Sequence, residues 1–156
     1  GYIEKDWGKG FPRGYIWAQS NHFAEQGISV SASVARIPWL RGAFRGHLIG
    51  FLFRGNLYRF TTYTGSEIEH ISIDDQSSML VVRDKKFRLE INATRSQGAV
   101  LHAPYEDQMV ERVAESMDSR IEVRFQNCED QKLIFEGSGK NGCLEVQGDL
   151  ESILHA

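Results

Sequence analysis

From residue 28 to residue 34 the chain reads ISVSASV, with apolar and small polar side chains taking turns. A period of two is that of an extended strand with one buried face. The same kind of segment recurs along the chain. HLIGFLF (47–53) is apolar on both faces, and Arg54-Gly55-Asn56 then turns the chain into LYRFTTYT, since Gly and Asn tolerate the positive φ of a tight hairpin. SEIEHISI ends at Asp74-Asp75, SSMLVVR ends at Asp84-Lys85, and FRLEINAT follows. IEVRFQN (121–127) and KLIFEGS form a further pair, with CLEVQGD last. Short strands separated by short polar turns predict an all-β protein, an antiparallel barrel or a strongly curved sheet. One window departs from this. In DQMVERVAESM (107–117), Met109, Val110, Val113 and Met117 recur at helical spacing, which predicts a single short amphipathic helix flanking the sheet.

Length and charge limit the function classes. With 156 residues, 41% of them hydrophobic, the chain suits one globular domain over 1–156. The stretches at 39–46 and 137–142 contain Gly but are too short to divide it. The net charge is −3, and Arg36, Arg41, Arg45, Arg54 and Arg59 are scattered, so no nucleic-acid partner is expected. No apolar run is long enough for a membrane-spanning helix. Cys128 and Cys143 make no disulfide framework, and a reducing, cytoplasmic setting is expected. His22, His47, His70, His102 and His155 lie far apart in sequence without metal-ligand spacing. Phosphate-loop and nucleophile-elbow motifs are absent from the sequence.

The chemistry concentrates in the first 23 residues, GYIEKDWGKGFPRGYIWAQSNHF. If 15–23 is a strand, Tyr15, Trp17, Gln19, Asn21 and Phe23 share one face, and Ile16, Ala18, Ser20 and His22 the other. Rings for stacking beside amides for orientation suit a wet or ligand-filled barrel interior. The competing reading puts Gln19 and Asn21 in solvent on an edge, with Glu4, Lys5 and Asp6 as a solvated cluster or an ion-pair latch.

This stretch resembles the signature of the tocopherol cyclase-like family, G-Y-x-E-K-D-W-G, then F-P, then W-x-Q-x-N-H-F. The positions that match are Gly1, Tyr2, Glu4, Lys5, Asp6, Trp7, Gly8, Phe11, Pro12, Trp17, Gln19, Asn21, His22 and Phe23. LYRFTTYTG and GKNGCLEVQGDLE resemble later, weaker blocks of the same family. The resemblance implies a lipocalin-like, calycin-type barrel. It also implies that this chain corresponds to the C-terminal half of a longer protein, whose N-terminal half is a further partner in any site. A sequence that does not open on Met agrees with that expectation.

The implied activity is acid-catalysed closure of a chromanol ring on a prenylated benzoquinol, with no redox change and no cofactor or metal. Such chemistry needs an acid beside an apolar pocket, aromatic faces beside a cation, and exclusion of water. On the resemblance, Asp6 is the favoured donor and Glu4 the next. His22 is a secondary or orienting group that accepts the phenol proton as a neutral imidazole. Trp7, Phe11, Tyr15, Trp17, Gln19 and Asn21 are the substrate-binding residues. A cavity lined by Trp17 and some of Trp7, Phe51, Phe53, Phe60 and Tyr63 is expected to hold an apolar prenylquinol-like molecule, with peripheral membrane contact giving it access. The alternative is a non-catalytic, lipocalin-like binding protein for an isoprenoid or other apolar ligand.

Overall fold

Two aspartates end two strands in the same way. Asp74 Oδ1 accepts from the backbone N–H groups of Gln76 (2.8 Å) and Ser77 (2.7 Å), and Asp84 Oδ1 from those of Lys86 and Phe87 (both 2.7 Å). Each carboxylate stands in for a backbone acceptor and folds the chain into a tight turn. At the third predicted turn, Arg54 (φ 50°) and Gly55 (φ 77°) both adopt positive φ, which a two-residue hairpin of right-handed twist demands.

A computed structural model describes residues 12–96, 98–105 and 108–155. The strands are β1 (Gly14–Ser20), β2 (His22–Phe23), β3 (Ser29–Trp39), β4 (Gly42–Phe53), β5 (Asn56–Thr61) and β6 (Glu67–Ile73). They continue with β7 (Ser77–Arg83), β8 (Phe87–Thr94), β9 (Ala99–Tyr105), β10 (Gln108–Asn127) and β11 (Leu133–Gly148). A 3-10 turn, Thr62–Thr64, follows β5, and a one-turn helix, α1 (Glu151–Leu154), follows β11. The strands form one antiparallel sheet in the order β5-β4-β3-β1-β11-β10-β8-β7-β6, with β2 on β11 and β9 on β10. This sheet curls into a nearly closed barrel. The fold class expected from the alternation is therefore the observed one.

The helix expected at 107–117 is not there: from Gln108 those residues belong to β10. Bulges explain the misleading spacing. Register shifts between Glu111 and Val113 against β9, and between Ser116 and Ser119 against β11, each change the face that the following residues occupy. A strand whose phase slips every few residues imitates a period near 3.6. Met109 and Met117 are also exposed, so the apolar stripe is not a buried face.

Inside, the barrel is packed with side chains. Ile16 and Ala18 of β1 join Val30, Val34, Ile49, Phe51, Phe60, Leu89, Ile91, Ile121, Val123 and Phe125 in one buried cluster. At one end the rings interlock. Phe125 lies 5.3 Å from Phe51, 4.6 Å from Tyr58 and 5.1 Å from Phe87, all within the range of favourable aromatic pairs. α1 contributes the fully buried Ile153, whose carbonyl accepts from Arg45 Nη1 at 2.9 Å.

This arrangement corrects the expected cavity. Phe51, Phe53 and Phe60 fill the core on the face of Ile16 and Ala18, opposite the face of Trp17, and Tyr63 is exposed. Ile and Ala turn inward because they lose no hydrogen bonds on burial, whereas Trp and Gln would.

Candidate functional site

The site is assembled by register. On one face of the sheet, Trp17 of β1 pairs with Glu145 of β11, and Glu145 pairs in turn with Glu115 of β10. Directly opposed residues of antiparallel strands project to the same side, so these three side chains stand in one row. In the other direction Trp17 pairs with Ser33 of β3. Flanking the row, Tyr15 pairs with Ala35 and Gln147, and Gln19 with Ser31 and Cys143. Large, ring-bearing and amide side chains on β1 are thus bordered by short ones on β3.

Hydrogen bonds fix the row. The buried Tyr15 donates its phenolic O–H to Glu145 Oε2 at 2.9 Å. Burial, and secondarily the negative charge of Glu145, push the Glu115 carboxyl above the usual glutamate range. Two carboxyl groups are therefore placed side by side in unlike surroundings, one held by a phenol and the other with its pKa raised. Gln19 gives Nε2–H to Cys143 Sγ at 3.4 Å, and Cys143 Sγ lies 3.5 Å from Met117 Sδ. Gln19 Oε1 is buried with no hydrogen-bond partner. An amide oxygen left this way is an acceptor whose hydrogen-bonding capacity is unmet.

Several sequence-predicted residues are not in this row. Asn21 and His22 are exposed, and His22, on β2, pairs with Lys140 of β11. Phe23 does not share the face of Trp17. β1 breaks at Asn21, Ser20 turns inward to give its hydroxyl proton to the Lys140 carbonyl (2.9 Å), and Phe23 packs on the core near Phe135. Glu4, Asp6, Trp7 and Phe11 lie outside the described residues.

Glu115 and Glu145 were missed by sequence reasoning. Glu115 sits in the window whose spacing imitates a helix, where a glutamate reads as a solvated charge. The signal for Glu145 was the alternation Cys143, Glu145, Gln147 within CLEVQGD, a polar series matching Tyr15, Trp17 and Gln19 on the neighbouring strand.

Another buried group also escaped notice. His47 Nε2 lies 2.8 Å from Ser66 Oγ and Nδ1 lies 3.2 Å from Thr62 Oγ1. Ser66 Oγ donates its proton to the Thr61 carbonyl at 2.9 Å, so the imidazole proton resides on Nε2 and Nδ1 accepts. Burial, then the Arg45 charge, hold the His47 pKa below its ordinary value. This cluster ties β4 to the turn between β5 and β6, the two strands at the open seam of the barrel.

A groove of about 680 Å³ runs over β7, β8, β10 and β11, lined by Asp74, Glu90, Asn92, Arg120, Glu122 and Glu136 among others. Within it, Arg120 Nε pairs with Glu122 Oε1 at 3.2 Å. Such a surface is unsuited to a hydrocarbon ligand.

A family model described as tocopherol cyclase-like matches residues 1–148. Two similar proteins are "Probable tocopherol cyclase, chloroplastic" from Oryza sativa subsp. japonica and "Tocopherol cyclase, chloroplastic" from Zea mays. Each is 34% identical over 110 residues, which cover 66% of this chain and 23% of the relative. The matched region thus spans about a quarter of the length of those relatives. No solved structure gives a significant match. Among the described residues no helix is long and apolar enough to cross a membrane.

Proposed function

The chain belongs to the tocopherol cyclase-like family, and from that membership we propose that its Trp17–Glu145–Glu115 face takes part in closing a chromanol ring on a prenylated benzoquinol. The observation that carries the reading is the row itself: a carboxyl with a raised pKa, a phenol-bound carboxylate and an indole side by side on one face.

The chemistry assigns each group a step. Glu115 gives its proton to the less substituted carbon of the alkene nearest the ring, leaving a tertiary cation. The indole of Trp17 and the ring of Tyr15 stabilise that cation, by roughly 0.5–2 kcal/mol per ring. The quinol oxygen attacks the cationic carbon, a C–O bond forms, and the phenolic proton passes to Glu145. Transfer between the paired carboxyls restores Glu115. Substrate and product are isomers, so no electrons enter or leave. The unpartnered Gln19 Oε1 accepts from a quinol hydroxyl and orients the head group.

Asp6, the donor favoured by the resemblance, competes with Glu115 for the first step, with Glu4 next and His22 as a competing proton acceptor. The lipocalin-like carrier has less support, because the barrel interior is occupied by aromatic and aliphatic side chains.

The test uses the full-length protein and a prenylated benzoquinol. Glu115→Gln is expected to lower kcat by about 10²–10⁴ while leaving substrate binding within a few-fold. Full turnover in that variant together with loss in Asp6→Asn moves the donor to Asp6. Unchanged binding by both variants of a protein with no wild-type turnover supports the carrier instead.

A further inference from the structure

The β3–β4 hairpin ends in an apolar tip that nothing in its own fold requires. Residues 26–66 hold five arginines and no aspartate or glutamate, in a chain whose overall charge is negative. Within the hairpin, Ile37 pairs with Phe44 and Trp39 with Gly42, so Ile37, Trp39 and Phe44 share one face. Trp39 is 65% exposed and Leu40 93%. The Trp39 and Phe44 rings meet edge to face at 6.4 Å, and Ile37 and Phe44 close over Gly46, where a β-carbon would lie 2.8 Å from Ile37.

Leu40 takes a positive φ of 51° in the turn, a conformation hairpins usually give to Gly, Asn or Asp. A leucine there is both strained and fully presented to solvent, so its side chain serves something other than the turn. Arg36 and Arg45 pair on the opposite face of the hairpin, and the exposed Arg41 adjoins Leu40 at the tip. Elements that settle at a bilayer surface have this make-up: an indole at the interface, aliphatic groups just below it, and arginines beside anionic head groups.

The apolar face of the hairpin also continues along the sheet. On β3, Trp39, Ile37, Ala35 and Ser33 follow one another on alternate positions, and Ala35 and Ser33 pair with Tyr15 and Trp17.

We propose that the β3–β4 hairpin docks on an anionic lipid bilayer through Trp39, Leu40 and Phe44, with Arg36 and Arg41 at the head groups. That the same face then leads an apolar substrate from the bilayer to Trp17 rests on the cyclase reading; the docking itself does not.

The test is co-sedimentation of the full-length protein with phosphatidylcholine vesicles and with vesicles containing phosphatidylserine, read without any turnover assay. The wild type is expected to bind the anionic vesicles and to release them as salt rises. Leu40→Asp and Arg41→Glu, at exposed positions outside the core, are each expected to weaken binding at least about tenfold. Lipids brominated near the head group are expected to quench Trp fluorescence in the wild type and less so in Trp39→Phe. Absence of wild-type binding to anionic vesicles overturns the proposal and leaves the tip as a surface for another protein segment. Equal binding by wild type, Leu40→Asp and Arg41→Glu overturns it as well, since some other surface then meets the lipid.

Discussion

At Glu115 the environment does what the residue type alone cannot. A solvated glutamate is almost wholly ionised at neutral pH and is a poor acid for an alkene. Partial burial and the facing Glu145 carboxylate raise its pKa and so extend the protonated form to higher pH. If Glu115 is the donor, activity falls as pH rises through that pKa. Glu145→Gln removes the negative neighbour, so the Glu115 carboxyl is expected to titrate at lower pH in that variant, read by NMR titration of the side-chain carboxyl rather than by turnover. A titration that stays in place shows that Glu145 does not raise the Glu115 pKa. On the proposed function, the rings beside these carboxyls would help protonate an apolar substrate where water is scarce.

At the level of elements, the seam between β5 and β6 depends on a neutral histidine. His47 joins the seam through Thr62 and Ser66, and its folded pKa lies below the ordinary value of 6.5. Both folded and unfolded forms carry it neutral well above that value, so its contribution is flat there. As pH falls below 6.5 the unfolded chain takes up the proton first, and stability declines until the folded pKa is passed. The urea midpoint of His47→Gln is expected to be lower than that of wild type at neutral pH, and to decline less steeply on acidification. Parallel curves for the two proteins contradict this. Much at this scale was legible in advance, because Asp74, Asp84 and Gly55 terminate strands by local hydrogen bonding and φ preference, which depend on few residues. β10 was not legible, since its bulges are set by partners on β9 and β11 rather than by its own sequence. The same dependence hid Glu115.

Over the whole molecule, the alternation in β1 told that its two faces differ but not which one the barrel would enclose. Tyr-Ile-Trp-Ala-Gln-Ser offers rings to one side and small or aliphatic groups to the other, and both sets are compatible with burial. Only the pairing of β1 between β3 and β11 decides it, by placing Ile16 and Ala18 against Val34, Phe51 and Phe125. If the proposed chemistry lies on the outer face of a filled barrel, a substrate would reach Trp17 from the side, along the sheet that leads to the β3–β4 hairpin. The central claim, that this face serves a proton-initiated isomerisation, is tested most directly by running the full-length protein with a prenylated benzoquinol in D₂O and weighing the product. One deuterium fixed on ring carbon, a product otherwise isomeric with the substrate, and loss of that product in Glu115→Gln are the predicted result. A product lighter by two hydrogens, or one free of carbon-bound deuterium, would contradict it.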